Sequence, residues 1–309
     1  MDESLLRLRL LRIEGTRVGG DLTVLRNLTQ LRELHIGSNC LSGDLVPLTN
    51  LSKLRALTIP GRFPWAGGAR PCNGTAGLEG DLRPVSPLRN LEVLALPWNS
   101  IEGDISALRG LSLLTTLSLN ENKLAGDLAS VSNLTLLQTL QLRGPPCLPS
   151  NPGTFAIPGV LLYWCNDTAP PGGNPAELEA LRGGGGGGGM NSSEAAVSSK
   201  IIGPVSAIQN MTVLRHVDLS FNDIDGSIDD AVRGTPMLEH LDVSWNYIYS
   251  GDGLSSLSAL TELQRLEAGM TGIAGNFSSL SGLTSLTHLD FDRNLLIGGN
   301  MSDLGALTK

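Results

Sequence analysis

The sequence predicts an α/β solenoid, a curved horseshoe of about ten repeats of 23–25 residues. A concave parallel sheet lines one side, and short 3₁₀ or irregular segments form the convex side. Three observations predict it. Residues 214–228, LRHVDLSFNDIDGSI, recur 24 residues later as LEHLDVSWNYIYSG. The same phase, Leu-x-x-Leu-x-Leu-x-x-Asn-x-Leu-x-Gly-Asp-Leu-x-x-Leu-x-x-Leu, starts at Leu8, Leu31, Leu54, Leu91, Leu114, Leu137, Leu214, Leu238, Leu263 and Leu286. Only 4% of the residues are aromatic, so aliphatic side chains must fill the core.

Within a repeat, the alternation x-x-Leu-x-Leu-x-x buries its leucines and turns the residues between them outward, as a short strand does. Stacking the repeats joins these strands into one sheet. The Asn that follows turns the chain, and its amide is placed to satisfy backbone groups in the interior. That column reads Thr16, Asn39, Asn99, Asn122, Asn222, Asn246, Thr271 and Asn294. The later Leu-x-x-Leu-x-x-Leu, as in Leu45, Leu48 and Leu51, suits 3₁₀ turns, in which side chains at i and i+3 eclipse.

A 20–29-residue period with this leucine spacing resembles the leucine-rich repeat. The resemblance covers residues 5 to 309 apart from two insertions. Gly43, Gly103, Gly126 and Gly226 in Leu/Ile-x-Gly-Asp/Ser resemble plant- and algal-type extracellular repeats. Most copies are shorter than the plant form, and only the one at Leu214, with GSIDDAV, reaches its length. The resemblance implies a non-enzymatic module that recognises a protein or peptide ligand, as the extracellular part of a receptor-like or secreted protein. An intracellular scaffold is the alternative, as is a fragment without independent function.

The insertions divide the chain. Residues 1–143 hold the first repeats, interrupted at 60–77; residues 144–200 form a second insertion; residues 201–309 return to the repeat. The second insertion reads as a Cys-bracketed flap at 144–172, then a flexible linker at 173–200 with seven consecutive glycines. No Gly-Lys-Ser/Thr follows those glycines, so they are not a phosphate loop. Cys147 with Cys165 and Cys40 with Cys72 are the expected disulfides. Sequons at Asn27, Asn50, Asn73, Asn133, Asn166, Asn191, Asn210, Asn276 and Asn300 point to glycosylation in the secretory pathway, and hence to an extracellular or cell-surface location rather than a cytoplasmic one.

The net charge is −8 with four lysines, so no basic stripe exists for a nucleic acid. No apolar run is long enough to span a membrane. The start, MDESLLRLRLLRIEG, is already in repeat register and does not read as a signal peptide. Neither end carries a polar cap, so the sequence reads as a fragment whose missing parts would hold any leader, span or kinase.

Outward positions of the concave strands fall into files. One runs Arg12, His35, Thr58, Ala95, Ser118, Gln141, Asp218, Asp242, Glu267, Asp290; the file beside it ends His216, His240, Arg265, His288. With strands about 4.8 Å apart this makes a lattice of imidazoles and carboxylates. The expected state is solvated and self-compensating charge, with a pH-responsive surface as the sharper reading. No metal site and no cofactor are expected. The position before the turn Asn holds Trp98, Phe221 and Trp245, which read as partner-binding anchors at the rim beside Tyr247 and Tyr249. Paired carboxylates in a closed pocket and nucleophile motifs are lacking, so no catalytic residue is assigned.

Overall fold

The computed structural model describes residues 5–16, 18–37, 40–61, 77–145 and 200–307. Asn39, Cys72, Cys147, Cys165, Asn73, Asn166 and Asn191 lie outside the described residues. So do most of the first insertion and nearly all of the flap and linker expected at 144–200.

Ten three-residue strands form one parallel sheet in strict chain order. They are Leu10–Arg12, Glu33–His35, Ala56–Thr58, Val93–Ala95, Thr116–Ser118, Thr139–Gln141, His216–Asp218, His240–Asp242, Arg265–Glu267 and His288–Asp290. Each begins two residues after a leucine that opens the sequence repeat. The insertions do not break the stack: Leu57 pairs directly with Leu94, and Leu140 with Val217. The central residue of nearly every strand is buried, from Leu34 through Leu57, Leu94, Leu117 and Leu140 to Leu266. One continuous aliphatic core runs from Leu22 to Leu283. Each repeat therefore buries its apolar face against both neighbours, which makes stability a nearest-neighbour property.

The convex side consists of short 3₁₀ turns such as Leu22–Leu25, Ile105–Leu108 and Leu128–Val131. Where the repeat is longer, at GSIDDAV, the turn widens into a six-residue α-helix, Ile228–Arg233, capped by Ser227.

A second parallel sheet was not anticipated from the sequence. Six strands, Glu79–Asp81, Ser100–Asp104, Lys123–Asp127, Ile201–Pro204, Asp223–Ser227 and Tyr247–Tyr249, run along the flank between the concave and convex sides. The Gly-Asp pair explains it. Gly126 takes φ 117°, a region open to glycine, and redirects the chain into the turn. The Asp after it caps the next 3₁₀ helix: Asp104 accepts from Ser106 N at 2.7 Å and Asp127 from Ala129 N at 2.8 Å. The carboxylate of one repeat also sits against the glycine of the next. A Cβ on Gly203 would lie 2.4 Å from Asp127 Oδ1, so only glycine lets the strands approach.

Candidate functional site

The Asn column forms a hydrogen-bonded ladder that fixes the rim. Asn122 donates to Leu96 O (2.8 Å) in the preceding repeat and Leu119 O (2.9 Å) in its own. Its Oδ1 accepts from Ile101 N at 3.1 Å. Asn246 repeats the pattern with Leu219 O, Val243 O and Ile224 N. Asn294 bonds Ala268 O and accepts from both Thr271 N and Thr271 Oγ1. Asn99 and Asn222 do the same across the two insertions. Asn99 joins Ile59 O to Leu78 N, and Asn222 joins Leu142 O to Ile201 N. All five amides are buried, so each satisfies groups that would otherwise be stranded.

The residue before each ladder position is held in the left-handed region: Trp98 (φ 55°), Glu121 (58°), Phe221 (58°), Trp245 (57°), Met270 (54°) and Arg293 (59°). For bulky side chains this costs on the order of 1 kcal/mol each. The ladder overrides that cost and turns these side chains, apart from the buried Met270, onto the rim of the concave sheet. Phe221 and Trp245 stack there with centroids 5.5 Å apart and planes 13° from parallel. Arg143 lies over the other face of Phe221, its guanidinium carbon 4.6 Å from the ring centre, and pairs with Glu121 at 3.0 Å. The result is a three-tier stack, Arg143–Phe221–Trp245, across three consecutive repeats. Trp98 stands apart from it, since Glu121 and Gly144 occupy the intervening positions of the file; Trp98 is 37% exposed. Sequence reasoning missed Arg143, which stands two residues past the strand Thr139–Gln141 at the edge of the second insertion.

Sheet register aligns the acidic file: Asp218 pairs with Asp242, Asp242 with Glu267 and Glu267 with Asp290. The neighbouring file aligns His216, His240, Arg265 and His288. The carboxylates are less solvated than the sequence suggested, and the aspartates at the centre are half-buried. Burial raises the Asp218 pKa, although the Ser220 hydroxyl and amide oppose it. Burial and then the neighbouring Asp218 push Asp242 up to about 6. Burial acts in the same direction on Glu267, but the Arg265 guanidinium, His288 and a hydrogen bond from Asp242 outweigh it and hold Glu267 below its usual value. A hydrogen bond links the two groups, so the proton Asp242 holds below about pH 6 also favours the ionised Glu267.

Three of the histidines on this face have close neighbours. His288 Nε2 lies 3.2 Å from Glu267 Oε1, and His216 Nε2 lies 3.9 Å from Glu239 Oε2. His216 and His240 meet edge to face at 4.8 Å. Burial and then His216 lower the His240 pKa. Among the described residues, no group of three His, Cys, Asp or Glu side chains is arranged to hold a metal ion.

Six predicted sequon asparagines are described, Asn27, Asn50, Asn133, Asn210, Asn276 and Asn300, and all six are exposed. Cys40 is disulfide-bonded, and its partner lies outside the described residues. No described helix is long and apolar enough to cross a membrane.

No family model and no curated protein matches the sequence. Solved structures do. The crystal structure of a TDR receptor aligns over 97% of this chain and 46% of its own, at 19% identity and TM-score 0.62. The plant peptide hormone receptor RGFR1, in complex with RGF2, aligns over 97% and 46% at 22% identity and TM-score 0.55. A plant ice-binding protein aligns over 91% and 71% at 18% identity and TM-score 0.60. The chain spans about half the length of the two receptors. In fold, it is a leucine-rich-repeat solenoid similar to plant receptor ectodomains.

Proposed function

We propose that this chain is a non-enzymatic recognition module whose C-terminal concave face binds a basic peptide or protein segment. It would serve as the extracellular ligand-binding part of a receptor-like or secreted protein. The observation that carries this reading is the register-aligned file Asp218, Asp242, Glu267 and Asp290, running beside the Arg143–Phe221–Trp245 stack. An extended cationic segment laid along the file finds one carboxylate per strand, and an apolar anchor reaches the aromatic rim. The N-terminal half offers Thr58, Ala95, Ser118 and Gln141 at the same positions, so charge confines the site to the C-terminal half. The receptors that share the fold include one solved with a peptide partner, which supports a peptide occupant.

The exposed sequons and the Cys40 disulfide support the secretory pathway. Cys72 is the proposed partner of Cys40, and Cys147 and Cys165 are proposed to bracket a flap in the second insertion. A panel of synthetic peptides, matched in length and differing in net charge, tests the binding reading. Retention of the basic members, lost in Asp242→Asn/Glu267→Gln, is expected; equal retention of acidic and basic members contradicts it. A glycosidase mobility shift on the native protein tests the location: a shift is expected, and an unshifted full-length product favours the intracellular alternative.

A further inference from the structure

On the convex side, far along the chain from the acidic file, two adjacent repeats line a half-open cavity of about 490 Å³. Three arginines line it: Arg83, Arg89 and Arg109. In a chain of net charge −8 this is a local reversal of sign. Other repeats place Thr23, Val46 and Ala129 where Arg83 stands, and Ser52, Ser112 and Thr135 where Arg89 stands; the Arg109 position holds Thr49, Ser132 and Gln209 elsewhere, and an arginine again at Arg26. Arg83 and Arg89 are therefore features of this repeat and not of the scaffold.

The arginines differ in how they are employed. Arg83 is neutralised by Asp81, Nε to Oδ1 at 2.9 Å. Arg109 reaches only a long contact to Ser130 Oγ at 3.4 Å. The Arg89 side chain has no hydrogen-bond or ion-pair partner among the described residues. Its guanidinium rests directly on Gly110, where an added Cβ would lie 1.3 Å from Nη1 and 2.2 Å from Cζ. Gly110 has no left-handed backbone to explain it. It stands where Asn27, Asn50, Asn133 and Asn210 stand in other repeats. What glycine supplies here is room for the Arg89 head group.

We infer that this cavity binds an acidic sugar unit, with Arg89 and Arg109 taking its anionic group. Guanidinium forks suit a planar or tetrahedral oxyanion. Asp104 and Ser106 also line the cavity, and Asp104 Oδ1 is already occupied by Ser106 N at 2.7 Å. A second carboxylate oxygen next to two available guanidiniums disfavours a bare anion and favours a ligand that brings hydroxyl donors along with its charge. The volume agrees, since it falls in the range of small-molecule sites and exceeds what one oxyanion fills.

Calorimetric titration of the intact chain with glucose 6-sulfate tests this, with glucose and inorganic sulfate as controls. Saturable binding of the sulfated sugar is expected, at least tenfold tighter than either control, since glucose lacks the charge-assisted hydrogen bonds to the arginines and inorganic sulfate lacks the hydroxyl donors to Asp104. Arg89→Ala should reduce the affinity about tenfold or more. Gly110→Ala should do the same by displacing a flexible head group, without disturbing the backbone. Arg55→Ala, an exposed arginine paired with Glu92 at 3.7 Å on the other side of the solenoid, should bind like the parent. The inference is overturned if the sulfated sugar binds no better than inorganic sulfate alone, if no saturable binding is seen, or if Arg89→Ala leaves the affinity unchanged.

Discussion

Asn222 donates to Leu142 O at 2.8 Å, a residue 80 positions earlier in the chain. The same side chain accepts from Ile201 N at 3.2 Å, so one amide closes the near and far ends of the second insertion. Asn99 performs the same closure for the first, between Ile59 and Leu78. The solenoid tolerates two insertions because the turn Asn of the following repeat stitches each gap shut.

Replacing Asn222 with Ala strands the Leu142 and Leu219 carbonyls and the Ile201 amide. With each buried orphan costing roughly 1–3 kcal/mol, a loss of about 3 kcal/mol is expected, read by chemical denaturation. Asn122→Leu should be comparably destabilising, because its three partners are of the same kind. Parental stability in either variant would contradict the ladder.

Asp242 has a folded-state pKa near 6, above that of an unfolded aspartate. The folded chain therefore holds the proton more tightly, and this group's contribution to stability is full at low pH and lost as pH rises from about 4 to about 6. Asp242→Asn, which mimics the protonated acid, should be more stable than the parent at pH 7 by on the order of 1–2 kcal/mol. The two should converge near pH 4. A constant difference across that range would show that Asp242 titrates normally.

Asp229 behaves in the opposite sense. Burial works to raise its pKa, but the Ser256 and Ser227 hydroxyls and the Asp252 and Gly251 amides outweigh it and lower it. The Gly251 and Asp252 amides donate at 2.6 Å and 3.1 Å from the next repeat, so this carboxylate ties two repeats together. Its stabilisation is present above the unfolded pKa and is lost as pH falls through the folded one. Asp229→Ala should cost about 2–3 kcal/mol at pH 7. Its deficit should shrink in acid, and a pH-independent deficit would point to packing alone.

Trp245→Ala removes one tier of the rim stack while leaving the buried Asn246 ladder bonds in place. Binding of a retained basic peptide should weaken by about tenfold or more, with the circular dichroism spectrum unchanged. Trp98→Ala, outside the stack, should have a smaller effect. If the two variants bind like the parent, the aromatic rim is packing and not an anchor.

The repeat phase made the concave sheet legible residue by residue. All ten strands begin where the leucine spacing put them, and the Asp218–Asp242–Glu267–Asp290 file follows from period alone. The flank sheet was not legible, because Gly126 and Asp127 read locally as a turn, and only stacking shows that successive turns hydrogen-bond to one another. The half-burial of Asp218 and Asp242 was also hidden, since it depends on side chains from adjacent strands. Arg143 was missed for the same reason: its partner Phe221 is distant in sequence and adjacent only after the second insertion is closed.

The most direct test is the affinity of one retained basic peptide for the parent and for Asp242→Asn/Glu267→Gln, measured at pH 7.5 and at pH 5. Loss of binding in the double variant at the higher pH is predicted, along with weaker parental binding at the lower pH, where Asp242 is protonated. Affinities that match between the two proteins at both pH values would contradict the assignment of the acidic file as the binding surface.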